Sequence, residues 1–172
     1  MHLSEGTVQN IIFGAIFMFF ISIAWLLAEF KGMKDEIKER LGINNETLKL
    51  RLQAYERLTL FAERASLKNL VSRTSSSGIT VVDLQIALLE AIRTEYEYNV
   101  SQQIYMSPEM WKAIGNLKDQ NTFIINQLAA TLSPQANAIE LSKRILEYVA
   151  TTNSDLSTVV LSALQYEAKK IL

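Results

Sequence analysis

Residues Ile11–Ala28 read IIFGAIFMFFISIAWLLA, eighteen positions without a charge and with Ser22 as the one conventional polar side chain. With Val8, Gln9 and Asn10 the stretch reaches about 21 residues, which as a helix at ~1.5 Å per residue spans ~31 Å, the thickness of a hydrocarbon core. Lipid offers the backbone no hydrogen-bond partners, so a segment of this kind has to be helical. Trp25 falls near one end, where an amphipathic ring prefers the interface. A transmembrane helix is therefore the primary expectation. Two others compete with it. Ser22-Ile23-Ala24 offers a small-x-small cleavage pattern, although the basic n-region of a signal peptide is missing. A buried core helix is the third, but Phe13, Phe17, Phe19 and Phe20 leave the helix no polar face.

Outward from this stretch, charge sets a direction. His2 and Glu5 are the titratable side chains before it, whereas Lys31, Lys34, Lys38 and Arg40 follow closely after it. The positive-inside rule then puts the N-terminus outside and the remainder in the cytoplasm. Next, Phe30, Met33, Ile37 and Leu41 recur every three or four residues among charged neighbours, with Glu36 and Arg40 as a favourable i,i+4 pair. This segment either extends the membrane helix as a short coiled-coil stalk or lies along the headgroups. Gly42-Ile43-Asn44-Asn45 is expected to end it.

The remaining sequence reads as helical. Pro108 and Pro134 are the two prolines and glycine is sparse, while helix formers are spread throughout. Apolar spacing predicts a helix over residues 47–71, on a face made by Leu48, Leu52, Tyr55, Leu58, Ala62 and Ala65. The low-complexity stretch 72–78 (SRTSSSG) reads as an exposed loop. Thr80-Val81-Val82-Asp83 has the form of a capping box and opens a helix to about Tyr105. Ser107-Pro108 and Ser133-Pro134 read as two further starts, serine as cap and proline at the first helical position, opening helices to about Thr131 and Ala150. Ser154 is the expected cap of the last helix, whose Lys169 and Lys170 suit its negative end. The expected fold is all-α: one N-terminal transmembrane helix followed by a soluble bundle of about five helices. The divisions are residues 1–29 for tail and anchor, 30–45 for the juxtamembrane stalk, and 46–172 for the bundle.

Much chemistry is excluded by composition. The chain contains no cysteine and a single histidine, His2, so thiolate catalysis, cysteine-ligated metals and Ser-His-Asp hydrolysis have no residues to work with. No catalytic residue, metal ligand or cofactor is expected. The 17 Lys and Arg all follow the anchor, as do 17 of the 18 acids, all but Glu5. That balance leaves no basic stripe for nucleic acid. Phosphate-cradling glycine motifs are missing. Glu90 with Glu97, and Glu56 with Glu63, lie two helical turns apart at ~10 Å, a spacing common among surface glutamates.

The most distinctive stretch is Glu90–Trp111, EAIRTEYEYNVSQQIYMSPEMW. On a helix Leu84, Leu88, Ile92, Tyr96, Asn99 and Gln103 share one stripe, and Tyr98, Tyr105 and Trp111 lie nearby. Tyr96, Tyr98, Asn99, Gln103, Tyr105 and Trp111 are the candidate partner surface. The plainer alternative is that the tyrosines pack with their hydroxyls at the rim and the amides satisfy neighbours.

Across residues 50–73 (LRLQAYERLTLFAERASLKNLVSR) and 84–111 (LQIALLEAIRTEYEYNVSQQIYMSPEMW) the chain resembles a family of uncharacterised Bacteroidota proteins that pair an N-terminal membrane helix with a helical region of unknown function. The resemblance implies a bacterial inner membrane and carries no activity. The expected function is a membrane-tethered helical interaction or scaffold module, an accessory subunit or partner of an inner-membrane complex. Its partners are the bilayer and a protein, not nucleic acid. Two alternatives stand beside it: a small-ligand-binding or enzymatic domain working through Glu and Tyr, and a structural homo-oligomer joined through the anchor and stalk.

Overall fold

The computed structural model describes residues 5–74, 78–152 and 155–171, with side chains described from Phe17 onward. Six α-helices cover these residues: α1 (Glu5–Ala65), α2 (Leu67–Thr74), α3 (Val81–Asn99), α4 (Pro108–Ala130), α5 (Ala138–Thr152) and α6 (Leu156–Ile171). A 3-10 turn, Val100–Tyr105, joins α3 to α4. The one strand-like pairing among the described residues is an isolated antiparallel bridge between Thr80 and Asn137. The all-α expectation holds. The chain divides into two units, Met1–Thr47 and Leu48–Leu172.

In the first unit α1 runs without the stop expected at Gly42-Ile43-Asn44-Asn45. Glycine inside a helix costs ~1 kcal/mol relative to alanine, less than abandoning the hydrogen bonds of two helix ends. Gly42 does not take the positive φ that a C-cap uses; Gly78, at φ 83°, does. Phe17 (67% exposed), Trp25 (68%) and Leu27 (64%) stand out from the helix, as do Phe19 and Phe20. The Ser22 hydroxyl donates back to the Phe19 carbonyl at 2.8 Å. Among the described residues no helix is long and apolar enough to cross a membrane. In the predicted span the backbone is helical throughout, and the side chains of residues 8–13, 15 and 16 are not among those described.

In the second unit the helix predicted over residues 47–71 is broken at Ser66. Here side chains replace the interrupted ladder. The Ser66 hydroxyl and the Asn69 amide both donate to the Glu63 carbonyl, at 2.9 and 2.8 Å. Buried Asn121 of α4 donates to the Ala65 carbonyl at 2.8 Å. Two carbonyls of the helix end, those of Glu63 and Ala65, thereby find donors within the chain. Ser72–Thr74, placed in a loop by composition, close α2 instead; residues 75–77 of that loop lie outside the described residues.

Thr80 and Asp83 form the expected capping box, hydroxyl to backbone N–H and carboxylate to backbone N–H. Ser107 caps α4 by accepting from the Met110 N–H at 3.1 Å. The Ser133-Pro134 start is corrected: residues 133–137 form a turn, and α5 begins at Ala138. The reason lies at the start of α3, whose unpaired Val81 and Val82 N–H groups donate to the Ala136 and Pro134 carbonyls at 2.9 and 3.3 Å. Asn137 then serves α5, its side-chain oxygen accepting from the Ile139 N–H at 2.9 Å. Ser154 lies outside the described residues; the Asp155 carboxylate accepts from the Ser157 N–H at 3.0 Å.

α4 is shared by two apolar clusters. Its second half (Ile124, Ile125, Ala129) joins Leu70, Leu84, Leu88, Ile92, Leu141 and Ile145. Its first half (Met110, Ile114, Leu117) joins Leu58, Phe61, Val160 and Leu164. Each fully buried Leu or Ile contributes about 1.5–3 kcal/mol relative to exposure.

Candidate functional site

The stretch after α3 is shaped by Asn99. Its side-chain amide donates to the Glu95 carbonyl at 2.8 Å, competing with the α-helical ladder just where the helix tightens into the 3-10 turn. Asn99 is therefore buried and occupied, and is withdrawn from the candidate surface.

The other five candidates separate into layers. The Tyr96 ring stacks on Trp111 with centroids 5.3 Å apart and meets Phe61 edge-on at 6.1 Å. The Lys118 ammonium sits 4.8 Å from the Tyr96 centroid. Tyr96 and Trp111 pack against the cluster around Phe61 and serve it as half-buried cover. Tyr98 is 71% exposed. The Arg57 guanidinium lies 4.7 Å from its ring centroid and donates to its backbone carbonyl at 3.1 Å. Gln103 is exposed and Tyr105 half-buried. Ile104, beside them, is 73% exposed. The outward part of the site is thus Tyr98, Gln103 and Ile104, with Arg57 as a residue that spacing along one helix cannot supply.

Two ion clusters also escape local patterns. Glu95 pairs with Arg64 at 2.7 Å and Arg73 at 3.4 Å, drawing α1, α2 and α3 together. Glu167 of α6 accepts from the Tyr55 hydroxyl at 2.9 Å and from the Ser107 hydroxyl at 2.7 Å. Burial, then the Glu167 carboxylate, hold the Tyr55 phenol above its ordinary range, so it stays protonated and acts as a donor. This cluster clamps three helices.

Arg93 hydrogen-bonds Glu90 at 2.8 Å and holds its carboxyl below the usual range, the opposite of what a general acid needs. No group of three metal-ligating side chains occurs among the described residues. No buried side-chain polar atom among them lacks a partner. A space bounded by Leu67, Asn121, Ile124, Tyr148 and Leu156 measures about 20 Å³, room for about one water. Clefts of about 320 and 380 Å³ open to solvent, one beside Glu140 and Arg144, the other between Val82, Gln85 and Asn126.

In comparisons with known proteins, the model of a family of unknown function (DUF7935) matches residues 2–171. No curated protein and no solved structure matches the chain.

Proposed function

The chain belongs to that family of unknown function, and from its own residues we propose that it is a membrane-tethered helical interaction module. Residues 1–29 anchor it in a bacterial inner membrane with the N-terminus outside, and residues 48–172 present a protein-binding face on the cytoplasmic side. The observation that carries this reading is the first unit of α1. Phe17, Met18, Phe19, Phe20, Trp25, Leu26 and Leu27 are all exposed on it. At about 1.5–3 kcal/mol each, leaving those side chains in water forgoes roughly 10–20 kcal/mol, as much as a whole domain's stability. A bilayer recovers it. Lys31, Lys34, Lys38 and Arg40, all after the apolar run, support the orientation. The resemblance to Bacteroidota proteins supports the inner membrane.

Recognition by surface is the reading for the second unit because Tyr98 and Ile104 stand exposed on it as large side chains. The face proposed for the partner is Tyr98, Gln103 and Ile104, with Arg57 holding the Tyr98 ring. Tethering raises the local concentration of this face at the bilayer, which is the mechanism of recruitment.

The test is a high-pH wash of membranes followed by protease treatment of intact spheroplasts. The chain should stay with the bilayer, deletion of residues 1–29 should release it, and its C-terminal part should resist protease until the membrane is opened. Recovery of the intact chain in the washed supernatant overturns the tether; digestion from outside overturns the orientation. Cross-linking with mass spectrometry in native membranes then tests the face. A neighbour captured by the native chain and lost with Tyr98→Ala and Gln103→Ala supports it; a neighbour retained by both variants does not.

A further inference from the structure

Within the first unit Phe19, Ile23, Leu26, Phe30, Met33 and Ile37 follow one another at alternating steps of four and three residues. That spacing averages 3.5 residues, the period of a coiled-coil seam. All but the half-buried Ile23 are exposed large side chains with nothing in this chain covering them. From Phe30 onward the seam is narrow, bordered by Lys31, Lys34, Asp35, Glu36, Lys38 and Glu39.

We propose that a second copy of this chain covers the seam, in parallel and in register. The proposal rests on the membrane reading above and identifies a partner for the same anchor. Three observations favour a copy over the lipid headgroups. First, α1 is unbroken from Glu5 to Ala65. One uninterrupted helix cannot cross the bilayer at Phe19–Leu26 and also lie in its plane at Phe30–Ile37. Second, with Phe30 and Met33 as the inward a and d positions, Glu29 takes position g and Lys34 the following e position. In a parallel in-register pair Glu29 of each chain faces Lys34 of the other, the complementary arrangement that fixes partner and orientation. Third, the seam ends where charge enters it. Arg40 occupies the next d position and pairs at 2.8 Å with Glu36 of its own helix.

The absence of cysteine makes the test direct. Single substitutions Met33→Cys and Ile37→Cys on the seam, and Asp35→Cys and Lys38→Cys off it, are placed in the full chain and oxidised mildly in native membranes. Seam positions should form linked dimers about tenfold faster than the outer ones, because disulfides need Cα atoms within ~7 Å. Glu29→Lys should slow linkage at Met33→Cys, and adding Lys34→Glu should restore it. Equal rates at all four positions, or none, in protein that stays with washed membranes overturn the pairing and leave the tether standing. Unchanged rates in the charge variants overturn the parallel register. Protein recovered in the washed supernatant overturns the tether and the pairing together.

Discussion

The hydroxyl of Tyr55 donates to the Glu167 carboxylate at 2.9 Å across 112 residues of sequence, tying the first helix to the last. Ser107 occupies the other carboxylate oxygen at 2.7 Å and at the same time caps α4. One acidic side chain thus joins three helices beside the Phe61 cluster. Glu167→Ala should lower the unfolding free energy by about 1.5–3 kcal/mol, the worth of hydrogen bonds to a charged acceptor. Glu167→Gln, which keeps an acceptor oxygen, should lose about half as much. Denaturant titration of both variants checks the order; a Glu167→Gln variant as stable as the native chain would mean that charge has no part in the clamp.

The same pair predicts an alkaline transition. Burial and the neighbouring carboxylate raise the Tyr55 pKa above 10.0 in the folded state, with Arg51 opposing in part. The unfolded chain therefore releases this proton first as pH climbs. Stability is fully present below about pH 10 and falls as pH rises from there through the folded value. Tyr55→Phe should remove that part of the slope while leaving the rest. Parallel slopes for the native chain and Tyr55→Phe above pH 10 would contradict the assignment.

These contacts show where sequence reading stops. The all-α class and the caps at Thr80 and Ser107 were legible, because each depends on residues within three or four positions of one another. The break at Ser66 was not, since the group that satisfies the Ala65 carbonyl is Asn121, far along the chain. Ser133-Pro134 matched a helix start and became a turn because its carbonyls serve the beginning of α3. The candidate surface divided for the same reason. Helical spacing placed Tyr96, Asn99 and Gln103 on one stripe; Tyr96 and Asn99 turn inward, while Gln103, past the switch to the 3-10 turn, is exposed. The partner of Tyr98 is Arg57, on another helix, which no spacing rule reaches.

Asn121 offers a test of the break itself. It is buried, and its amide is the donor to the Ala65 carbonyl. Asn121→Ala should cost about 1–3 kcal/mol by leaving that carbonyl unpaired in the core. Asn121→Asp should cost more near pH 7, about 3–5 kcal/mol, because it sets an unpaired charge against a carbonyl oxygen. Burial raises the pKa of such a carboxyl, so the loss should shrink as pH falls from about 7 to about 4 and the protonated acid recovers a donor. A penalty independent of pH would show that a carboxylate at position 121 reaches water and that the site is not buried against the Ala65 carbonyl.

The two tryptophans report on the two units separately. Trp25 is 68% exposed on the first unit of α1, whereas Trp111 is half-buried against Tyr96. In liposomes carrying lipids brominated near the headgroups, the Trp111→Phe variant keeps Trp25 as its one indole. It should be strongly quenched, as expected of an indole at the interface. The Trp25→Phe variant keeps Trp111, and brominated lipid should leave its emission unchanged. In denaturant the order reverses: Trp111 emission should shift with unfolding of the bundle, and Trp25 emission should not follow that transition while the liposomes remain intact. Quenching of Trp111 by brominated lipid, or a Trp25 signal indifferent to it, would place the bilayer against the wrong part of the chain.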